Sequence, residues 1–148
     1  MEAGHGPPAG ELVELSRAEC GRLLARQEVG RLAFTERALP TVVPVNYVMD
    51  GPAVVFRTRA DSRLARLLPG TVVAFEVDDL DRAARTGSSV VVTGIVERVA
   101  EAGALARLDA LHLAPWAGDT RPVFLRIPPG LVTGRRILPP EAQIDRGC

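Results

Sequence analysis

Residues 39–67, LPTVVPVNYVMDGPAVVFRTRADSRLARL, limit the possible fold of this chain more than any other stretch. Residues 41–49 form a long apolar run rich in β-branched side chains, which suit a pleated strand. Asp50-Gly51-Pro52 marks a turn, because Gly tolerates positive φ and Pro presets φ. Residues 53–58 read as the returning strand. Arg59, Ala60, Asp61 and Ser62 then lead into a helical pattern over 62–68, with Leu64, Leu67 and Leu68 on one side. A hairpin running into a helix is therefore expected. Arg57, Thr58, Arg59, Ser62 and Arg63 gather at its junction. Helix N-terminal N–H groups with guanidiniums nearby suit an anion, best a phosphate. The plainer reading makes these solvated charges, with Ser62 a simple N-cap. The pattern alone leaves both open.

At 148 residues the chain fits one domain with a real core, and 47% hydrophobic content argues against wholesale disorder. Its formal net charge of zero argues against nucleic-acid binding through a broad basic field, and at 4% aromatics there is little to stack bases. Cys20 and Cys148 form neither a metal cluster nor a disulfide framework, so a cytoplasmic location is expected. The start, MEAGHGPPAGE, lacks the basic and apolar regions of a signal peptide. No apolar run is long enough to span a bilayer.

Residues 1–14 are expected to be a flexible leader, 15–138 the folded domain and 139–148 a loose tail. Residues 15–27 predict a helix opened by a capping box, Ser16 with Glu19. Cys20, Leu23 and Leu24 share its apolar face, where Cys20 reads as a small buried hydrophobe. Strands are predicted over 30–35, 71–77, 87–99, 121–127 and 131–138. Gly94 lies inside one of them and marks a bulge, a bend or a close approach. Residues 78–85, DDLDRAAR, read as a solvated connection; they lack the Gly-anchored spacing of a calcium loop. Residues 101–113 predict a second helix ended by Pro115, with His112 at the edge of its apolar face. Trp116, the single tryptophan, sits in a Pro/Gly loop and either plugs the core or covers a ligand ring. Six or seven strands with short connections and two main helices predict a mainly β fold, a small closed barrel with peripheral helices.

The catalytic motifs are absent: GxGxxG, the P-loop, HExxH, CxxC and GxSxG. No catalytic residue and no metal site can be assigned. A chain with so little chemistry of its own commonly borrows it from a cofactor, and a phosphate-bearing one fits the 57–63 junction.

The central unit resembles the flavin-binding core of the pyridoxamine 5'-phosphate oxidase-like split β-barrel family, closest to its small bacterial, nitroimidazole-resistance-like branch. VVAFEVDD, TGSSVVVTGIVERV and PWAGDTRPVFLRIPPGLVTGRRI follow in the family's order. The resemblance implies an FMN-binding split β-barrel that forms a homodimer, with cofactor in two clefts at the subunit interface. It implies that Val42, Val43, Pro44, Val45 and Asn46 run beside the flavin ring. Thr58 and Arg63 would bind the phosphate, with Ser62 assisting and Arg57 near. Ser88 and Ser89 would reach the flavin from the strand beyond, and Trp116 from the neighbouring subunit.

Leu64 stands where pyridoxamine phosphate oxidases proper carry a second basic phosphate ligand. Asn46 replaces their lysine and Ser89 their glutamine. These departures argue against pyridoxamine phosphate as substrate. The resemblance implies instead an FMN-dependent oxidoreductase acting on another small organic molecule. The alternatives are the deazaflavin F420 on the same barrel, with Arg57, Arg59, Arg135 and Arg136 as a basic rim, and a cofactor-free binding or regulatory barrel.

Overall fold

A computed structural model describes residues 10–111 and 122–139. Nine strands form one sheet in the order β1-β9-β6-β5-β2-β3-β4-β8-β7. They are β1 (Leu12–Glu14), β2 (Val29–Glu36), β3 (Leu39–Asp50), β4 (Ala53–Arg59), β5 (Val72–Asp81), β6 (Thr86–Ile95), β7 (Glu97–Arg98), β8 (Pro122–Ile127) and β9 (Leu131–Ile137). Three helices accompany them: α1 (Arg17–Arg26), α2 (Arg63–Leu67) and α3 (Ala102–Asp109). All the described pairings are antiparallel. The fold is the expected mainly β split barrel.

Alternation builds the core. On β5, Val73, Phe75 and Val77 point inward against Leu32 of β2 and Val90 and Val92 of β6, all essentially buried. Val54 and Phe56 of β4, with Leu125 and Ile127 of β8, complete the same cluster. α1 adds Cys20, Leu23 and Leu24, and its Ser16 cap accepts from the Glu19 N–H at 3.2 Å, as the capping box predicts. α3 covers a second cluster of Val55, Val99 and Phe124 with Ala104 and Leu108. Tyr47 packs edge-on to Phe75, centroids 4.7 Å apart, and its hydroxyl donates to the Leu24 carbonyl in the last turn of α1.

Closure explains Gly94. The β8–β9 turn crosses β6, where the Gly130 N–H donates to the Thr93 carbonyl at 3.0 Å. A Cβ on Gly94 would stand 2.3 Å from the Pro128 carbonyl oxygen, so close backbone approach requires glycine there.

Several boundaries differ from those expected. β1 pairs with β9, so the sheet reaches into the segment expected to be a leader. β5 runs on through Asp81, because pairing with β6 continues from Asp78–Ser89 to Asp81–Thr86. Only the turn after it is loop, with Asp81 Oδ1 accepting from the Ala84 N–H at 3.0 Å. The single strand expected over 87–99 breaks after Ile95. There the Val96 N–H turns to the Thr71 carbonyl, and β7 joins β8 instead. Among the described residues no helix is long and apolar enough to cross a membrane.

Candidate functional site

The site forms where two strands part. β3 pairs with β2 over residues 39–46 but with β4 only over 47–50. Beyond Phe56, β4 runs on beside β8, pairing Arg57 with Phe124, Thr58 with Val123 and Arg59 with Pro122. Among the described residues, no strand pairs with the second edge of β3 over 39–46. That edge presents backbone N–H and C=O groups with hydrogen-bonding capacity to spare. Val43 and Val45 anchor it in the core, while Val42 and Pro44 are exposed. Val29, Pro44, Val45 and Asn46 line a cleft of about 260 Å³. Its lining is mostly apolar, which suits a flat heteroaromatic ring.

The 57–63 junction lies where β4 has left β3 and runs beside β8. Thr58 Oγ1 and Ser62 Oγ lie 2.8 Å apart, and Ser62 Oγ also accepts the Ala65 N–H at 3.1 Å. Ser62 is thus both the cap of α2 and half of a hydroxyl pair. α2 has only five residues, and its cap already takes one of the N–H donors at its start. Anion-holding capacity therefore rests on side chains. Arg63 is half exposed and its Nη1 lies 3.2 Å from Glu36 Oε2. Arg59 is held by Asp61 through two hydrogen bonds of 3.0 and 2.9 Å. Arg57 is half-buried on β4.

Other expected members are not gathered here within one chain. Ser88 and Ser89 lie on β6, opposite Asp79 and Asp78 on one side and Arg136 and Arg135 on the other. β5 and β2 separate them from β3. Four strands, β6, β5, β2 and β3, stand between β9, which carries Arg135 and Arg136, and β4 in the sheet order. Trp116 and His112 lie outside the described residues. Burial pushes the Cys20 thiol up, which fits a packing role.

Two carboxylates were missed by sequence reading. Glu36 lies one residue past the strand expected over 30–35. In fact the turn is just Arg37-Ala38, so Glu36 ends β2 opposite Leu39. Glu76 sits mid-strand on β5 beside Asp78, with Arg31 Nη1 3.7 Å from its Oε1. Burial pushes its carboxyl up to about 7; Asp78 adds to the rise and Arg31 opposes it. The register would have exposed both, but register is a tertiary fact.

A split barrel with a cleft between diverging strands defines the structural class. The sequence model described as pyridoxamine 5'-phosphate oxidase matches residues 16–136, and the chain belongs to that family. An uncharacterized protein of Mycobacterium tuberculosis is 42% identical over 135 residues, 88% of each chain. The FAD binding protein from Mycobacterium smegmatis has a similar structure, with a TM-score of 0.75 at 32% identity over 84% of this chain and 99% of its own. A FAD-binding protein from Mesorhizobium loti follows at a TM-score of 0.73 and 27% identity, over 86% of this chain and 97% of its own.

Proposed function

We propose that this chain binds a flavin nucleotide in the β3–β4 cleft and works as a flavin-dependent oxidoreductase on a small organic substrate. The open backbone edge at 39–46 and the hydroxyls and guanidiniums of the 57–63 junction, on two strands that part beyond the Tyr47–Phe56 pair, carry this reading. The donor set fits the cofactor. Val29, Val42 and Pro44 offer apolar contact to a ring, the β3 edge offers both donors and acceptors, and Thr58, Ser62 and Arg63 suit a phosphate. Both FMN, the cofactor expected from sequence, and FAD carry a phosphate at the end of the ribityl chain. The flavin supplies hydride or electron transfer when bound; the protein orients it and limits water. The FAD-binding relatives support the flavin class.

A homodimer belongs to the same proposal. Val42, Ala33, Ala74, Thr93 and Leu131 stand in one cross-strand row on the outer sheet face. Val42 is 63% and Leu131 61% exposed, so a second copy would cover apolar surface beside the cleft. It would also supply side chains that one chain does not bring there. Cytoplasmic location is part of the proposal.

The test is an absorbance spectrum of the purified protein, then fluorescence titration with FMN, FAD and F420. Flavin bands, or saturable quenching near one flavin per chain, would support the reading, since a symmetric dimer has two equivalent sites. Binding of F420 alone would move the same barrel to the deazaflavin. Binding of none of the three would reject a flavin or deazaflavin function.

A further inference from the structure

The 57–66 segment carries four arginines, and among their contacts Arg59 faces Asp61 and Arg63 faces Glu36. The second pair is the unusual one. Asp61 is a local, exposed partner two residues from Arg59. Glu36 comes from a different hairpin, and its side chain is only 24% exposed. The β2–β3 turn fixes it there, with Arg37 and Ala38 both at positive φ and Glu36 paired in register with Leu39. A built-in anion therefore sits against Arg63, the guanidinium that the flavin reading assigns to the phosphate.

We infer that Glu36 sets the charge preference of the phosphate subsite. It favours a phosphate bearing one charge, such as the diester-like phosphate of a dinucleotide flavin, over the dianionic monoester of a mononucleotide flavin. The inference rests on the flavin reading above. Repulsion from Glu36 grows with the charge on the incoming phosphate, and a monoester is close to doubly charged above pH 7. Orientation of Arg63 by Glu36 acts the other way, but a half-exposed ion pair orients its arginine only weakly. Repulsion is thus the larger effect. The Arg63 contact uses Nη1, and a guanidinium carries five N–H donors, so the same side chain can hold Glu36 and a ligand oxygen together.

The test compares wild type, Glu36→Gln and Glu36→Ala by fluorescence titration at pH 8 with riboflavin, FMN and FAD. Removing one unit charge should tighten FMN by about fivefold and FAD by about two- to threefold, because the second charge of the FAD pyrophosphate lies one phosphate further from Glu36, leaving riboflavin unchanged. The FMN-to-FAD affinity ratio rises in both variants. An unchanged ratio overturns the inference, as does a selective loss of FMN affinity, which would make Glu36 a positioning residue for Arg63. Equal changes for all three ligands would also overturn it, by pointing to a general effect on the cleft. Those outcomes leave flavin binding intact. Failure of wild type to bind any of the three removes the flavin reading and the inference together.

Discussion

The hydroxyls of Thr58 and Ser62 meet at 2.8 Å, joining the end of β4 to the cap of α2. That hydrogen bond links the strand end to the helix start and holds two phosphate-suited groups together. Replacing Ser62 with Ala removes both the cap and Thr58's partner. Stability should fall by about 1 kcal/mol, read by urea denaturation. Ser62→Thr keeps a hydroxyl and should retain most of it.

Tyr47 does for α1 what Ser62 does for α2, at the opposite helix end. Its buried hydroxyl satisfies the Leu24 carbonyl, one of the last-turn acceptors a helix cannot satisfy itself. Burial pushes the phenol up to about 12, so it remains a donor through the working pH range. Tyr47→Phe keeps the ring contact with Phe75 and strands the carbonyl. We expect a loss of roughly 1–3 kcal/mol, with the fold unchanged by circular dichroism.

The β2–β3 turn places Arg37 and Ala38 at φ of 50° and 63° without a glycine. Such a turn favours Asn-Gly, because a side chain with a Cβ is strained in that region. Ala38→Gly should therefore raise stability by about 0.5–1 kcal/mol. Equal or lower stability in thermal melts would contradict the strained geometry.

Glu76 gives a pH signature. Its folded carboxyl titrates near 7 against an ordinary 4.5, so between those values the folded state holds the extra proton. Stability from this group is full below pH 4.5 and falls as pH rises through 7. Glu76→Gln should remove that decline. The variant's stability relative to wild type should improve between pH 5 and pH 8, measured by denaturation at both. A constant difference would show that Glu76 titrates normally.

The sequence was most informative where local chemistry and tertiary demand agree. The hairpin around Asp50-Gly51, the Ser16 cap of α1 and the close approach at Gly94 all follow from side-chain rules within a few residues. What escaped was set at a distance. Asp78 to Asp81 look like loop, yet they pair because β6 lies alongside. Leu12 to Glu14 are too few to show a period, yet β9 recruits them. The open edge of β3 exists only because β4 changes partner to β8, which arises much later in the chain. The Glu36–Arg63 pair likewise joins residues of separate hairpins. The phosphate-suited residues were therefore legible as types, and their counter-charge was not.

The most direct measurement is the affinity of wild type and Arg63→Ala for FMN and riboflavin, followed by flavin fluorescence. If the flavin phosphate lies at Thr58, Ser62 and Arg63, the variant should lose roughly 1.5–3 kcal/mol of FMN binding, about 10- to 150-fold, with riboflavin binding unchanged. Equal FMN affinity in the two proteins, or equal losses for FMN and riboflavin, would contradict that placement.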